Sequence, residues 1–265
     1  MRTALTIAGS DSGGGAGIQA DLKTFAAMGV FGTSAVTAIT AQNTLGVTAW
    51  EPVSTELVIA QIEAVAGDLP PDAVKTGMLA TAAIVEAVAA AIEALDLPNL
   101  VVDPVMIAKG GDRLLRQDAV SAIKAHLLPL AEVLTPNIPE AEVLAGGHIA
   151  TVEDMRSAAR RIRAMGPRVV VVKGGHLGRD VTADQVIDVV CGPDIEFELR
   201  GVRIETRHTH GTGCTFASAA AAQLARGADL ETALRAAREY LEGAIRSAPQ
   251  LGAGHGPLNH FWRVY

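Results

Sequence analysis

Short apolar runs alternate along the chain with longer amphipathic stretches. Continuous apolar runs of this length are typical of parallel strands that are buried on both faces of a sheet. They occur at residues 4–8, 73–78, 100–105, 131–135 and 169–173. These five runs predict five buried strands.

The stretches between the runs carry the helical period. The apolar positions of residues 81–95 fall on one helical face: Ile84, Val85, Val88, Ile92 and Leu95. Residues 16–28, 55–66 and 151–165 predict further helices, and Thr151 with Asp154 forms a capping-box pattern. Strand-like stretches at 36–40, 44–50 and 186–204 interrupt this alternation and predict a sheet edge.

Repeated strand–helix alternation predicts an α/β fold with a doubly wound, mostly parallel sheet and helices on both faces. We found no linker, internal repeat or charge block. The sequence therefore predicts a single domain over residues 1–265. Ligands of such sheets bind at the carboxyl ends of the strands.

Composition narrows the class of protein. The 265 residues are 49% apolar but only 3% aromatic, so Ala, Val, Leu and Ile must build the core. A formal net charge of −7 argues against nonspecific binding to nucleic acid or to an anionic membrane. No run of 18 apolar residues occurs, the N-terminus does not resemble a signal peptide, and the two cysteines lack metal-site spacing. We expect a soluble cytoplasmic protein.

The run from Thr209 to Cys214 is the strongest candidate for chemistry. Gly211 and Gly213 permit a tight turn just before an Ala-rich helical stretch. The free N–H groups and the dipole of such a helix start favour a bound anion such as a phosphate. A thiol in this turn, here Cys214, tends to have a lowered pKa. The same pattern also fits an ordinary helix start with a buried cysteine.

A second glycine-rich run, residues 9–17, follows the first predicted strand. Its spacing fits neither the Walker A nor the dinucleotide-binding fingerprint. It fits a turn that brings the backbone close to a small ligand, or a plain strand–helix connection.

Polar residues lie at or just after the ends of three other predicted strands. Asp103 is suited to the Mg²⁺ that accompanies a nucleotide, or to a hydrogen bond with a backbone turn. Asn137 and Glu140 have the spacing of a helix-capping pair. Lys173, before two glycines, could reach a phosphate or lie at the surface. Their shared position at strand ends favours a common site.

Together these residues make the sequence resemble the hydroxymethylpyrimidine/phosphomethylpyrimidine kinases of thiamine biosynthesis, which have the ribokinase-like fold. The resemblance extends from residue 4 to about residue 257 and includes the motifs at 19–24, 41–44, 75–79, 103–106, 108–112, 135–137, 173–176 and 209–214. Cys214 stands where the wider fold family usually carries Asp, which separates this group from the sugar kinases.

The resemblance implies ATP- and Mg²⁺-dependent phosphorylation of 4-amino-5-hydroxymethyl-2-methylpyrimidine to the monophosphate and then to the diphosphate. The implied substrate contacts are Gly9, Asp21, Gln42, Met78 and Val105. The implied catalytic turn is Gly211, Thr212, Gly213 and Cys214. The implied ATP contacts are Lys109, Asn137, Lys173 and Thr212, and the implied Mg²⁺ residues are Asp103 and Glu140.

In this interpretation the Gln42 amide supplies the donor and the acceptor that an aminopyrimidine edge requires. A buried helix carboxylate at Asp21 and ordinary core packing are the alternatives for the other substrate contacts. His208 and His210 could act as bases, but a polar residue that supports the turn is the better interpretation of both. The resemblance also implies a homodimer.

Two other functions compete. Pyridoxal kinases of this subgroup tend to carry a cysteine in the flexible loop, whereas this chain has Lys109-Gly110-Gly111 there. A regulator that only binds pyrimidine would have lost the catalytic turn, and this chain retains it.

Overall fold

The computed structural model describes residues 1–106, 117–178 and 184–264, with the backbone alone at Gln117. Within these ranges, nine strands form one sheet in the order β3-β2-β1-β4-β5-β6-β7-β8-β9. Their bounds are β1 Thr3–Asp11, β2 Phe31–Asn43, β3 Gly46–Pro52, β4 Ala73–Thr76, β5 Leu100–Val102, β6 Val133–Leu134, β7 Val169–Val172, β8 Gln185–Cys191 and β9 Glu196–Val202.

The first six helices of the described residues lie between strands, and the last two follow β9. Their bounds are α1 Gly17–Ala27, α2 Thr55–Asp68, α3 Ala82–Ala94, α4 Gln117–Ala122, α5 Ile138–Ala145, α6 Val152–Arg163, α7 Thr212–Ala225 and α8 Leu230–Arg246. A π-helical turn, Ile123–Leu127, and a 3₁₀ turn, Leu128–Leu130, extend α4. None of the helices in these parts of the chain is long and apolar enough to cross a membrane.

Helices cover both faces of the sheet, as the alternation along the chain predicts. Alternate strand residues point to opposite faces, so Leu100 and Val102 pack into one apolar layer and Val101 into the other. The first layer contains residues of α2 to α6, and the second contains residues of α1, α7 and α8. The doubly wound α/β fold is confirmed.

The sheet is parallel in its centre and antiparallel at both edges. Strands β2, β1, β4, β5, β6 and β7 pair in parallel, while β3 and the β8–β9 pair run antiparallel to their neighbours. The stretches at 44–50 and 186–204 therefore form the antiparallel strands at the two edges, β3 and β8–β9. Both edges, and not one, are built in this way. The stretch at 36–40 was wrongly expected at an edge, because it lies in β2, which is inside the sheet and pairs in parallel with β1.

Several element boundaries follow from local chemistry. The run at 100–105 ends as a strand at Val102 because Asp103 and Pro104 leave the sheet. The hydroxyl of Thr81 caps α3 by accepting a hydrogen bond from the Ile84 N–H at 3.3 Å. The capping box predicted for Thr151 and Asp154 is present at the start of α6.

Candidate active site

A cavity of about 1110 Å³ opens at the carboxyl ends of the parallel strands. It brings together twelve residues that the sequence singled out: Gly9, Gln42, Met78, Asp103, Val105, Asn137, Glu140, Lys173, Gly211, Thr212, Gly213 and Cys214. Lys109 lies outside the residues that the structure describes. The shared position at strand ends therefore corresponds to a shared cavity.

The turn before α7 packs closely against the loop that follows β1. Gly211 has a φ of +84°, and a Cβ there would collide with the carbonyl oxygen of Gly15. A Cβ at Gly213 would lie 3.2 Å from the Lys173 Nζ. The two glycines thus let the backbone approach the first loop on one side and a lysine on the other.

Lys173 and Asp103 form an ion pair at this end of the cavity, with 2.8 Å between Nζ and Oδ1. Burial opposes the charge on Lys173, but the carboxylates of Asp103 and Glu140 outweigh it and raise the pKa of the lysine. A permanent cation therefore lies beside the first N–H groups of α7. Both features favour a bound phosphate.

Asn137 and Glu140 form the capping box that their spacing predicts. The Asn137 N–H donates to Glu140 Oε2 at 2.8 Å, and the Glu140 N–H donates to Asn137 Oδ1 at 2.9 Å. Burial and the nearby Asp103 carboxylate raise the pKa of Glu140 to about 7, although Lys173 opposes the shift. The capping role does not remove this carboxyl from the cavity, which it lines.

Asp103 and Glu140 have the chemistry of a Mg²⁺ site. Mg²⁺ is usually bound through one or two carboxylates, with substrate phosphates and water as the other ligands. Within the described ranges, no group of three or more His, Cys, Asp or Glu side chains could enclose a metal ion. The two carboxylates beside the phosphate-binding end therefore fit an ion that arrives with a nucleotide.

Cys214 contradicts one expectation. Burial raises the pKa of its thiol to about 11, although the Lys75 ammonium opposes the shift. The expectation of a lowered thiol pKa was wrong, because removal from water outweighs the helix start and the lysine together.

Asp21 lies beneath the cavity and is fully buried. Its Oδ2 is 2.9 Å from the Lys75 Nζ, and its oxygens also accept hydrogen bonds from Thr6 Oγ1 and Ser218 Oγ, each at 2.6 Å. Lys75 lines the cavity, whereas Asp21 is enclosed by these donors. The alternative of a buried helix carboxylate is therefore the observed one, and Asp21 acts on the cavity through Lys75.

Asp11 and His210 join the loop after β1 to the turn before α7. His210 Nε2 lies 2.8 Å from Asp11 Oδ2. Asp11 also accepts backbone hydrogen bonds from Gly13, Gly15 and Ala16 at 2.8–3.0 Å. His210 thus supports the turn.

The sequence reasoning gave no role to the Asp11 side chain. Its position at the end of β1, just before a glycine-rich run, was the available signal. Thr40 was also missed. It lines the cavity, and its hydroxyl lies 3.2 Å from Gln42 Oε1.

Comparison with known proteins identifies the family of the chain. The family model for phosphomethylpyrimidine kinase matches residues 11–259. The hydroxymethylpyrimidine/phosphomethylpyrimidine kinase of Bacillus subtilis is 49% identical over 258 residues, which cover 97% of this chain and 94% of the relative.

Two solved structures are similar over most of their length. An ADP complex of Bacillus subtilis pyridoxal kinase is 39% identical with a TM-score of 0.89, covering 98% of this chain and 97% of that protein. The phosphomethylpyrimidine kinase of Clostridium difficile is 42% identical with a TM-score of 0.82, covering 92% of this chain and 100% of that protein. The chain belongs to the phosphomethylpyrimidine kinase family.

Proposed function

We propose that this cavity is the active site of a hydroxymethylpyrimidine/phosphomethylpyrimidine kinase. The protein transfers the γ-phosphoryl group of ATP to the hydroxymethyl oxygen of 4-amino-5-hydroxymethyl-2-methylpyrimidine. A second transfer, to the monophosphate, gives the diphosphate. The relative from Bacillus subtilis bears the name of both activities, and the chain resembles it over nearly its whole length.

One geometric observation carries the assignment to this cavity. Gln42, the candidate reader of the pyrimidine, lies 3.4 Å from His210, and His210 directly precedes the glycine turn. Gly213 of the same turn approaches Lys173. A polar recognition group and a phosphate-binding end are thus joined by one short segment, as a small phosphorylated substrate requires.

The pyrimidine end combines apolar faces with one amide. Met78 and Val105 are half-buried and offer apolar surface to a ring, while Gln42 offers a donor and an acceptor. Gly9 leaves room there, because a Cβ would lie 2.9 Å from Met78 Cε. These four residues form the proposed pyrimidine pocket.

At the other end, the N–H groups of residues 211–214 and the Lys173 ammonium stabilise the transferred phosphoryl group. Asp103 and Glu140 would hold Mg²⁺, which neutralises charge on the nucleotide phosphates. Asn137 and Thr212 line the cavity, and the resemblance assigns both to the nucleotide. The resemblance assigns Lys109 to a loop that closes over the transferred group. The ADP complex of the similar pyridoxal kinase supports ATP as the co-substrate.

We further propose that residues 1–265 act as one cytoplasmic kinase domain and that the protein forms a homodimer. The continuous nine-stranded sheet supports the single domain. The dimer follows from the resemblance, and measurement of the molecular mass in solution would test it.

The direct test is ATP-dependent phosphorylation of purified hydroxymethylpyrimidine, with pyridoxal assayed in parallel. We expect both pyrimidine phosphates to form in sequence. Similarity to pyridoxal kinases favours pyridoxal as a second substrate, and we expect its kcat/KM to be lower than that of the pyrimidine. Turnover of pyridoxal alone would contradict the proposed function.

A further inference from the structure

His210 Nε2 lies close to two polar groups that require different hydrogen-bonding roles of it: a donor to one group and an acceptor from the other. It is 2.8 Å from Asp11 Oδ2 and 3.4 Å from Gln42 Nε2. A ring nitrogen either carries a proton and donates, or lacks one and accepts. It therefore cannot donate to the carboxylate and also accept from the amide N–H of Gln42.

Asp11 decides which role the ring nitrogen takes. Its carboxyl is buried, yet it accepts three backbone N–H groups in addition to His210. Burial opposes ionisation, but these hydrogen bonds and His210 hold the pKa of Asp11 below its ordinary value. An ionised carboxylate is only an acceptor, so His210 Nε2 must carry the proton and donate to it.

The second neighbour of the Gln42 amide imposes the same choice. The Thr40 hydroxyl has one proton, and it lies 2.7 Å from the Ser10 carbonyl oxygen but 3.2 Å from Gln42 Oε1. The shorter bond to Ser10 leaves a lone pair of Thr40 directed at the amide. Thr40 therefore favours the Gln42 NH₂ group, and His210 favours the Gln42 oxygen.

We propose that His210, held by Asp11, fixes the Gln42 amide with its oxygen toward His210 and its NH₂ toward Thr40, and that this fixed direction makes the pocket select an aminopyrimidine over the corresponding oxopyrimidine. In this orientation Gln42 Oε1 and Nε2 occupy each other's positions, compared with the positions that gave the distances above. The change corresponds to rotating the amide by half a turn. The selectivity part rests on the proposed function.

The edges of the two pyrimidines explain the selectivity. An aminopyrimidine presents an amino donor next to a ring-nitrogen acceptor, whereas its oxo analogue presents a carbonyl acceptor next to a ring N–H donor. An amide that is fixed in one direction pairs with only one of these edges in a given ligand position. An amide that turns freely pairs with either.

His210 is itself immobilised, as a positioning residue must be. Its backbone N–H donates to the Gly256 carbonyl at 3.1 Å, and a Cβ at Gly15 would lie 2.5 Å from its Cδ2. The ring is thus packed between the loop after β1 and the C-terminal segment. It has no space on the Gly15 side to swing away from Asp11.

The test compares His210→Leu, which removes the donor, with His210→Gln, which places an amide N–H near the Nε2 position. The readout is the ratio of kcat/KM for 4-amino-5-hydroxymethyl-2-methylpyrimidine to that for its 4-oxo analogue. We expect His210→Leu to lower this ratio about tenfold or more and His210→Gln to preserve most of it. Equal losses for both substrates, with the ratio unchanged in His210→Leu, would overturn the proposal.

A measurement on the unmodified protein keeps the inference independent of folding and of turnover. Nitrogen-15 NMR distinguishes a protonated Nε2 from an unprotonated one. We expect a protonated Nε2 at pH 8. An unprotonated Nε2 would overturn the proposal. Absence of turnover with either pyrimidine would refute the proposed function, while the NMR result would still decide the amide orientation.

Discussion

Lys75 and Asp21 form an ion pair in which both side chains are fully buried, with 2.9 Å between Nζ and Oδ2. Burial opposes the charge on Lys75, but Asp21 outweighs it and raises the pKa of the lysine. Asp21 also accepts the Ser218 hydroxyl, one helical turn after Cys214. The pair therefore ties α1, β4 and the helix of the catalytic turn together under the cavity.

Removing one partner of this pair should be worse than removing both. Lys75→Met leaves Asp21 as an uncompensated buried charge, and we expect a loss of about 3–5 kcal/mol in the free energy of unfolding. Adding Asp21→Asn removes that charge and should restore part of the loss. Urea unfolding of Lys75→Met, Asp21→Asn and the double variant measures this coupling. A double variant as unstable as the sum of the single variants would contradict the coupling.

Two glycines with nearly the same backbone conformation offer a matched pair. Gly211 has a φ of +84° and Gly227 a φ of +85°, but a Cβ at Gly227 would meet nothing within 4 Å. We expect Gly227→Ala to cost about 1 kcal/mol of stability and to leave turnover intact. Gly211→Ala adds the collision with Gly15 and should abolish activity. Equal stability and turnover for the two variants would show that the close approach is unimportant.

The sequence was sufficient for the fold because buried parallel strands and amphipathic helices have distinct periods. Asp103 illustrates what position alone can predict: a carboxylate that follows a strand reaches the carboxyl edge of the sheet. Asp21 illustrates the limit. Its helical position was clear, but Lys75 and Ser218 are 54 and 197 residues away, so spacing could not reveal that they enclose it.

The pKa of the Cys214 thiol shows the same limit of prediction from local sequence. The helix start is a local feature, and the sequence predicted it correctly. Burial depends on every element packed around the thiol, and it dominates the pKa. The hydrogen bond from His210 to Asp11 also joins residues that are 199 positions apart. No local sequence pattern predicts this hydrogen bond.

Gln42→Leu tests recognition of the pyrimidine. The leucine leaves the polar edge of the bound ring unpaired, which should cost about 1–3 kcal/mol of binding. KM for the pyrimidine should therefore rise while KM for ATP stays nearly constant. Steady-state kinetics with each substrate varied in turn measures both constants. Equal changes in the two, or no change, would remove Gln42 from the pocket.

Glu140→Gln tests the Mg²⁺ assignment. Gln is accepted at this position of a capping box, so the start of α5 should persist. Loss of the carboxylate should weaken Mg²⁺ binding, and raised Mg²⁺ should restore part of the activity. Activity is measured against Mg²⁺ concentration in both proteins. Wild-type turnover at every Mg²⁺ concentration would leave Glu140 only its capping role.

The same variant should change how stability depends on pH. Because burial raises the pKa of Glu140 to about 7, its protonated form is favoured by folding. That contribution is complete below about pH 4.5 and is lost as the pH rises through 7. Relative to the wild type, Glu140→Gln should gain about 1–3 kcal/mol between pH 4.5 and pH 8. A difference that does not vary with pH would contradict the raised pKa.

Cys214→Ala distinguishes two roles of the cysteine: a catalytic base, or a residue that shapes the phosphoryl-binding turn. The hydroxymethyl oxygen must lose a proton during the first transfer, whereas the monophosphate is largely ionised near neutral pH because its second pKa is about 6. A thiolate base would therefore serve mainly the first step, with a typical contribution of about 10²–10⁴-fold.

The raised pKa leaves Cys214 a neutral thiol at pH 7. We therefore expect Cys214→Ala to slow both transfers by similar factors, since it alters the packing of the turn without removing its backbone donors. The rate of alkylation by iodoacetamide should also stay low at pH 7 and rise only toward pH 11. Separate assays with purified hydroxymethylpyrimidine and with its monophosphate measure the two transfers. A loss confined to the first transfer, together with rapid alkylation at pH 7, would establish the thiolate as the base.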